Sequence, residues 1–255
     1  KDILRFHAVY WPAMLLSAGL PVPKRVFGHG FLTREGQKMG KSLGNVLDPE
    51  HLLQQCGTDA VRWYLLRDIQ FGEDGDFQQQ RFLDLVNNDL ANTIGNLLNR
   101  TSSMSRKWFD ESLPVDVDAV RSTHVLRDKA EQTAAVVRRS IQDLAFHKAC
   151  EAVLQLAIDA NGFLNEQAPW SRMKQPGQEQ QVAEDLYAVL ECARYVGILL
   201  QPIVPDLSAR ILSQLNLAPT QTTWIKALTW GQLTPGGSLP KPEPVMQRLE
   251  LDAPL

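Results

Sequence analysis

The middle of the chain carries a long apolar stripe, which restricts the fold more than any other feature. Its members recur every three or four residues, the period of one face of an α-helix: Phe82, Leu85, Val86, Leu90, Ile94, Leu97 and Leu98. The pattern predicts a helix from about residue 79 to about residue 107. Because a helix with one apolar face must bury that face, the stripe requires other helices to pack against it.

More helical patterns follow the stripe, and the chain then ends in a segment rich in proline and glycine. The further predicted helices span residues 118–141, 143–166, 179–200 and 202–215. Since the connections are short, the five helices are expected to form an antiparallel bundle. From Thr229 onward the chain is predicted to be an extended tail that lies across the surface.

The amino-terminal part has a mixed pattern. Residues 1–18 are predicted to be helical, and Val26–Thr33 is predicted to be a short buried strand. Two more helices are expected to begin after Asp48, a good capping residue, and at Thr58. The acidic stretch Gly72–Phe77, marked by glycines, indicates a domain boundary.

Two lysines three residues apart, Lys38 and Lys41, lie among glycines in the segment Lys38–Asn45. Glycine allows the backbone to come close to a ligand, and a lysine ammonium group acts as a point charge for phosphate. A mobile loop of this kind suits a triphosphate whose charge shifts during a reaction. A solvated basic turn explains the lysine spacing at least as well when the spacing is taken alone.

The residues around this loop make a more specific pattern than the loop does. The chain carries, in order, Phe6-His7, Tyr10-Trp11-Pro12-Ala13-Met14-Leu15, Phe27-Gly28-His29-Gly30-Phe31-Leu32-Thr33, the lysine loop, Asn96, Arg100 and Gln167-Ala168-Pro169-Trp170. The loop resembles the KMSKS signature of class I aminoacyl-tRNA synthetases. The whole order and spacing resembles methionyl-tRNA synthetases. One departure is Gly40, which stands where the commonest signature has serine.

This resemblance implies a mostly α chain. It would be the C-terminal half of a Rossmann-like α/β catalytic domain, followed by an antiparallel α-helical bundle that binds the anticodon. The implied parts are residues 1–77 with the loop and a connecting module, residues 78–228 for the bundle, and residues 229–255 for the tail. The His-Ile-Gly-His signature of class I enzymes does not occur in the 255 residues. The chain is therefore interpreted as the C-terminal portion of a longer ligase, and it is predicted to be inactive alone.

The resemblance also assigns residues to the activation of methionine. The implied methionine-binding residues are Phe6, His7 and Trp11, whose aromatic rings suit a thioether. The implied ATP-binding residues are His29, Gly30, Met39 and Lys41. The implied catalytic residues are Lys38 and Lys41, which would stabilise the leaving pyrophosphate. Judged without the resemblance, the two aromatic residues of the first helix are more simply core residues.

A second set of residues is implied to read the anticodon of tRNA. Asn96 and Arg100 are four residues apart, so their side chains meet on one helix face. Both side chains can hydrogen-bond to the edges of unstacked bases, and an exposed Trp170 can stack on the face of a base. Without the resemblance, the polar pair is more simply a solvated face and the tryptophan a residue packed at the rim of the bundle.

Composition limits the classes of protein that fit. The net charge is −3 and the isoelectric point about 6.0, so any contact with RNA must come from local placement of charge. Three cysteines, Cys56, Cys150 and Cys192, lie far apart and predict neither a disulfide framework nor a metal site. No apolar run reaches about 18 residues, which argues against a transmembrane helix.

Together, the sequence and the resemblance predict a cytoplasmic enzyme of protein synthesis that is a monomer. Its substrates would be methionine, ATP with Mg²⁺, and tRNA-Met with a CAU anticodon, and no metal site is expected in this chain. Two alternatives remain open. One is a class I synthetase for another amino acid, such as isoleucine, valine, leucine or cysteine. The other is a stand-alone, non-catalytic tRNA-binding module.

Overall fold

The computed structural model describes residues 1–114, 117–122, 124–218 and 228–251. The apolar stripe forms one continuous helical rod, made of α4, a π-helical segment and α5. The bounds are Gln79–Leu85, Val86–Gly95 and Asn96–Trp108 respectively. The predicted helix from 79 to 107 is therefore confirmed, and its apolar face is buried. The π-helical segment was not predicted; such wider turns occur frequently at functional sites.

The other helices complete a bundle around one central helix. They are α6 (Asp118–Ser122), α7 (Val125–Gln142), α8 (Phe146–Gln167), α9 (Pro169–Arg172), α10 (Glu179–Leu200) and α11 (Pro205–Gln214). The prediction of one helix from 118 to 141 is wrong, because α6 ends at Ser122 and α7 begins anew at Val125. Almost every side chain of α10 is buried, since this helix packs against α5, α7, α8 and α11.

The start of α7 is fixed by His124, which lies in an aromatic cluster. Its Nδ1 accepts a hydrogen bond from the Leu126 N–H at 3.1 Å. Its ring centroid lies 5.1 Å from that of Phe163 and 6.4 Å from that of Trp230. Burial lowers the pKa of His124, against the opposite effect of the nearby Asp185 carboxylate. The folded state therefore favours a neutral imidazole that caps the helix.

We expect this cap to make stability depend on pH. The unfolded chain takes up a proton near the ordinary histidine pKa of about 6.5, which the folded chain resists, so the free energy of unfolding should fall as the pH drops below that value. His124→Asn keeps a capping side chain that does not titrate. Urea unfolding between about pH 7.5 and pH 5 should show the wild type losing stability relative to this variant. Parallel curves for the two proteins would contradict the expectation.

A small sheet holds the lysine loop. Its strands are β1 (Leu32–Arg34), β2 (Gln37–Lys38) and β3 (Gly75–Phe77), in the order β2-β1-β3. β1 pairs antiparallel with β2 and parallel with β3, with Thr33 opposite both Lys38 and Asp76.

The prediction of a buried strand over Val26–Thr33 is wrong. Neither partner strand reaches back beyond Leu32, so the preceding backbone has no ladder to join, and the Val26 and Phe27 side chains are exposed. The acidic stretch Gly72–Phe77 contains β3 and is not simply a connecting loop. Its Asp76 accepts hydrogen bonds from Thr33 Oγ1 at 2.7 Å and the Gly36 N–H at 2.8 Å, which lower the pKa of its carboxyl.

The amino-terminal helix and the two helices after the loop follow the predicted pattern. A π-helical turn, Phe6–Tyr10, continues into α1, Trp11–Ser17, and the side chains of both are exposed or half-buried. α2 (Pro49–Cys56) is capped by Asp48, whose Oδ1 accepts from the Glu50 N–H at 3.0 Å, and α3 (Thr58–Arg67) follows. In the part of the chain that the structure describes, no helix is both long and apolar enough to cross a membrane.

Hydrogen bonds attach α3 to the bundle. Arg62 Nε donates to the Ile203 carbonyl at 2.7 Å, and its Nη2 donates to the Pro202 carbonyl at 2.8 Å. The Leu207 N–H donates to the Asp59 carboxylate at 2.5 Å, and burial raises the pKa of that carboxyl. The loop-bearing part is thereby fixed to the start of α11.

The tail is extended as predicted, but the prediction that it lies on the surface is wrong for its large side chains. Trp230, Leu233, Leu239 and Val245 are buried in the same apolar core as the bundle. The Trp230 Nε1–H donates to the Val120 carbonyl at 2.9 Å. The tail is therefore a structural part of the bundle.

Candidate functional site

The lysine loop is a short turn closed by one asparagine side chain. After β2, residues Lys41–Leu43 form a single 3-10 turn, and Gly44 has a φ of 64°, which glycine adopts without strain. The Gly40 N–H donates to Asn45 Oδ1 at 2.9 Å, and Asn45 Nδ2 donates to the Lys38 carbonyl at 3.2 Å. Gly40 itself has an extended backbone that serine could also adopt, so the departure from the commonest signature is not a backbone requirement.

The three side chains of the loop signature have different environments. Lys38 and Lys41 are exposed, and within the described ranges neither ammonium group has a hydrogen-bond or ion-pair partner. Met39 instead lines an apolar cavity of about 170 Å³ with residues such as Leu52 and Phe82, and its Sδ accepts from the Leu47 N–H at 3.5 Å. The methionine anchors the loop and leaves both lysines free.

Of the three residues predicted to bind methionine, His7 lines a cavity. His7 lies with His29 and the segment from Val26 to Gly28 around a cavity of about 180 Å³, and its Nδ1 is 3.0 Å from the Ile3 carbonyl oxygen. Phe6 and Trp11 are 59% and 51% exposed. The structure therefore brings the two histidines together and leaves the two aromatic rings open to solvent.

His29 and Gly30 are fixed by local contacts. A carbonyl oxygen can only accept, so in the 2.9 Å contact with the Gly30 oxygen His29 Nδ1 is the donor. The His29 ring stacks on Phe71 at 6.0 Å. A Cβ on Gly30 would lie 2.1 Å from the Glu73 carbonyl oxygen, so glycine is required here by the neighbouring backbone.

Two of the predicted anticodon residues, Arg100 and Trp170, contact each other on the bundle. The Arg100 guanidinium lies 5.5 Å from the centroid of the Trp170 ring, and its Nη2 donates to Asn165 Oδ1 at 3.1 Å. Trp170 is 39% exposed at the start of α9, after Ala168 in the left-handed conformation with a φ of 44°. Asn96 begins α5, one turn before Arg100, and is exposed.

Sequence reasoning missed Asn165, which holds the arginine beside the tryptophan. Its only signal was its place in the last turn of a helix, just before the Gln167-Ala168-Pro169-Trp170 run. In the described ranges, no group of three or more His, Cys, Asp or Glu side chains is arranged to hold a metal ion.

Comparison with known proteins identifies both halves of the chain. Residues 1–102 match the family of class I tRNA synthetases (M), and residues 113–253 match the anticodon-binding domain of methionyl-tRNA ligase. The chain belongs to the methionyl-tRNA synthetase family. Both matches name the methionine enzyme, so they do not support a synthetase for another amino acid.

Individual members of the methionyl-tRNA synthetase family agree over almost the whole chain. The methionine–tRNA ligase of Nostoc sp. is 48% identical over 98% of this chain and 48% of its own length. The chloroplastic/mitochondrial ligase of Arabidopsis thaliana is 47% identical over 99% of this chain and 41% of its own length. The chain spans about half the length of the curated relatives it matches.

A solved structure from the same family has the same fold. The methionyl-tRNA synthetase of Mycobacterium tuberculosis in complex with methionyl-adenylate superposes with a TM-score of 0.87 at 39% identity, covering 96% of this chain and 48% of that one. The mostly helical architecture, with a small sheet at the amino-terminal end, is therefore the family architecture.

Proposed function

We propose that the protein carrying this chain is a methionine–tRNA ligase. It joins methionine to ATP with release of pyrophosphate, and it then transfers the methionyl group to the terminal adenosine of tRNA. The observation that carries the proposal is the match of both halves of the chain, in order, to the two parts of this family. The methionyl-adenylate bound to the Mycobacterium tuberculosis relative supports the same first step here.

Within that enzyme, we assign the activation step to the amino-terminal part, residues 1–77. Lys38 and Lys41 act on the triphosphate of ATP, which binds with Mg²⁺ as the substrate, and Met39 anchors their loop. His29 and Gly30 lie beside the purine. The free ammonium groups support this assignment, because a charge without a protein partner can be aimed at charge that develops in the transition state.

The methionine pocket is assigned to Phe6, His7 and Trp11. The two exposed aromatic rings offer apolar surface to a thioether, and His7 offers a polar hydrogen or a lone pair. Selection against a side chain one methylene shorter is worth only about 1–3 kcal/mol in such a pocket. Homocysteine is therefore the expected error substrate.

The bundle, residues 78–228 with the tail 229–255, is assigned to recognition of the CAU anticodon of tRNA-Met. The assignment rests on the Arg100–Trp170 contact with Asn96 one turn before it on α5, a cluster that combines an amide, a guanidinium and an exposed aromatic face. These are the groups that read the edges and faces of unstacked RNA bases. We further propose that the enzyme acts as a monomer in the cytoplasm.

Binding of an anticodon stem-loop tests the proposal. Trp170→Ala should weaken binding of the CAU stem-loop about tenfold or more, because one stacked base contributes about 1–3 kcal/mol. Affinities are measured at one fixed salt concentration, since phosphate contacts make RNA binding depend on salt. Trp170→Phe, which keeps a stacking face, is the matched control and should retain most of the affinity.

A stem-loop with the first anticodon base changed completes the test. The wild type should prefer CAU clearly, and the preference should shrink in Trp170→Ala while methionine activation stays almost intact. Equal affinity of the wild type for both RNAs, or an unchanged preference in the variant, would show that this cluster does not read the anticodon.

A further inference from the structure

The tail crosses the long helix beside Asn96 and leaves a cavity there. The cavity has a volume of about 460 Å³, in the range of small-ligand sites. Asn92, Asn96 and Asn99 line it from the helix, and Pro244–Met246 line it from the tail. No charged side chain lines it within the described residues, so the walls combine amide groups with apolar surface.

The tail wall is held in place by hydrogen bonds on both sides. Arg210 Nε donates to the Val245 carbonyl at 2.6 Å. The Asn87 side chain both donates to the Leu249 carbonyl at 3.0 Å and accepts from the Leu249 N–H at 2.7 Å. A wall that is already ordered spares a ligand the entropic cost of ordering it.

Gly95 lines the cavity where the π-helical segment meets α5. A Cβ on Gly95 would lie 3.2 Å from the Leu90 carbonyl oxygen and 3.6 Å from Val245 Cγ2. Gly95 is also the last residue of the π-helical segment, and Asn96 follows it as the first residue of α5. The wide turn and the small residue together form the floor of the cavity.

Two amide groups at the cavity are free to bind a ligand. In the part of the chain that is described, the side chains of Asn96 and Asn99 have no hydrogen-bond partner. Each amide offers both a donor and an acceptor. Around the helix, Asn99 lies about 60° to one side of Asn96 and Arg100 about 40° to the other. Asn96 therefore lies between the Arg100–Trp170 pair and Asn99, and it also lines the cavity.

We propose that this cavity is a second base-binding subsite for single-stranded RNA. It takes the unstacked base of a nucleotide adjacent to the one that stacks on Trp170, and Asn99 determines specificity by hydrogen bonding to the edge of that base. The uncharged lining favours a base over a phosphate, and Val245 and Met246 supply apolar contact for its face. The inference rests on the proposed anticodon-reading function of the same helix face.

The test combines protein variants with stem-loops that lack one base. Binding of the complete protein is measured to the CAU stem-loop and to a series with a single abasic nucleotide at each loop position, at fixed salt. Asn99→Ala should weaken binding of the intact stem-loop about fivefold to tenfold, the effect of a lost hydrogen bond to a ligand. For each RNA, the affinity of Asn99→Ala is compared with that of the wild type. If Asn99 binds one base, the substitution should cost nothing when the RNA already lacks that base, which is the result that a double-mutant cycle gives for two groups in contact.

Two further variants locate the effect. Asn99→Asp keeps the shape but removes the donor, so it should change which base is preferred at that position. Ser103→Ala, on the exposed face of α5 one turn beyond Asn99, is the matched control and should leave every affinity unchanged. Trp170→Ala should also lose its effect on affinity for one abasic stem-loop, and the missing base in that RNA should be at a different loop position from the one found for Asn99→Ala.

The outcomes separate this inference from the proposed function. The second subsite is wrong if Asn99→Ala has no effect on affinity or weakens binding of all the RNAs equally. If Trp170→Ala still lowers the preference for CAU in that case, the proposed anticodon-reading function is retained. If the wild type shows no preference for CAU, the proposed function of this helix face fails with it. Coupling of Asn99 to one base position supports the inference.

Discussion

Replacing Lys41 with alanine in the complete protein is expected to slow methionine adenylation about a hundredfold. The Lys41 ammonium group lies on an exposed 3-10 turn without a partner in the described structure, so it is free to neutralise charge as pyrophosphate leaves. An interaction made mainly in the transition state lowers the rate constant and leaves substrate binding nearly unchanged. The KM for methionine should therefore change little.

The measurement is an assay of methionyl-adenylate formation at saturating ATP over a range of methionine concentrations, which gives both the rate constant and the KM for methionine. Lys107→Ala removes an exposed lysine on α5, far along the chain from the loop, and serves as the matched control. A Lys41→Ala protein that forms adenylate at the wild-type rate would exclude the assigned role. A rise in the KM for methionine with an unchanged rate would place the lysine in substrate binding instead.

Removing the Glu191 carboxylate is expected to destabilise the bundle by about 3–5 kcal/mol. Glu191 is fully buried on α10, and its Oε2 lies 2.7 Å from Nη2 of Arg194, which is 2% exposed. The same carboxylate accepts from the Gly231 N–H at 3.1 Å and the Leu233 N–H at 2.6 Å. Glu191→Ala thus leaves a buried guanidinium without its counter-ion, although Nη2 of Arg194 still donates to the Thr229 carbonyl at 2.6 Å, and it leaves two buried N–H groups without their acceptor.

Equilibrium urea unfolding at neutral pH measures this loss. Glu191→Gln keeps acceptor oxygen and shape while removing the charge, so it should lose less stability than Glu191→Ala. Because the same contacts hold the tail, Glu191→Ala should also weaken binding of the anticodon stem-loop. A loss of stability below about 1 kcal/mol, the net value of one ordinary hydrogen bond, would show that the Glu191 contacts contribute little to holding the tail.

The sequence was sufficient where local chemistry decides the outcome. Asp48 was predicted to begin a helix and does cap α2, because a side-chain acceptor satisfies a free N–H of the first turn in any fold. The stripe from Phe82 to Leu98 was predicted to be one buried helical face, and it is, because the period of a helix fixes which side chains share a face.

Predictions failed where a partner distant in the chain decides the outcome. Val26–Thr33 has the composition of a strand, but only Leu32–Arg34 finds strands to pair with. The tail has the composition of a surface segment, but Trp230 and Leu233 are buried because Glu191 and Tyr187 bind its backbone. Neither partner can be read from the segment itself.

For the candidate site, the family motifs named the residues, and the tertiary structure decided which of them meet. Arg100 lies beside Trp170 because Asn165, on another helix, holds it there, and the cavity at Asn99 exists because the tail returns across α5. The sequence by itself determined the helices, their caps and the candidate groups, since these depend on neighbours within a few residues. Only the tertiary structure decided burial of the tail, the extent of the sheet and the shape of the proposed RNA-binding face, because each depends on contacts between segments that are far apart in the chain.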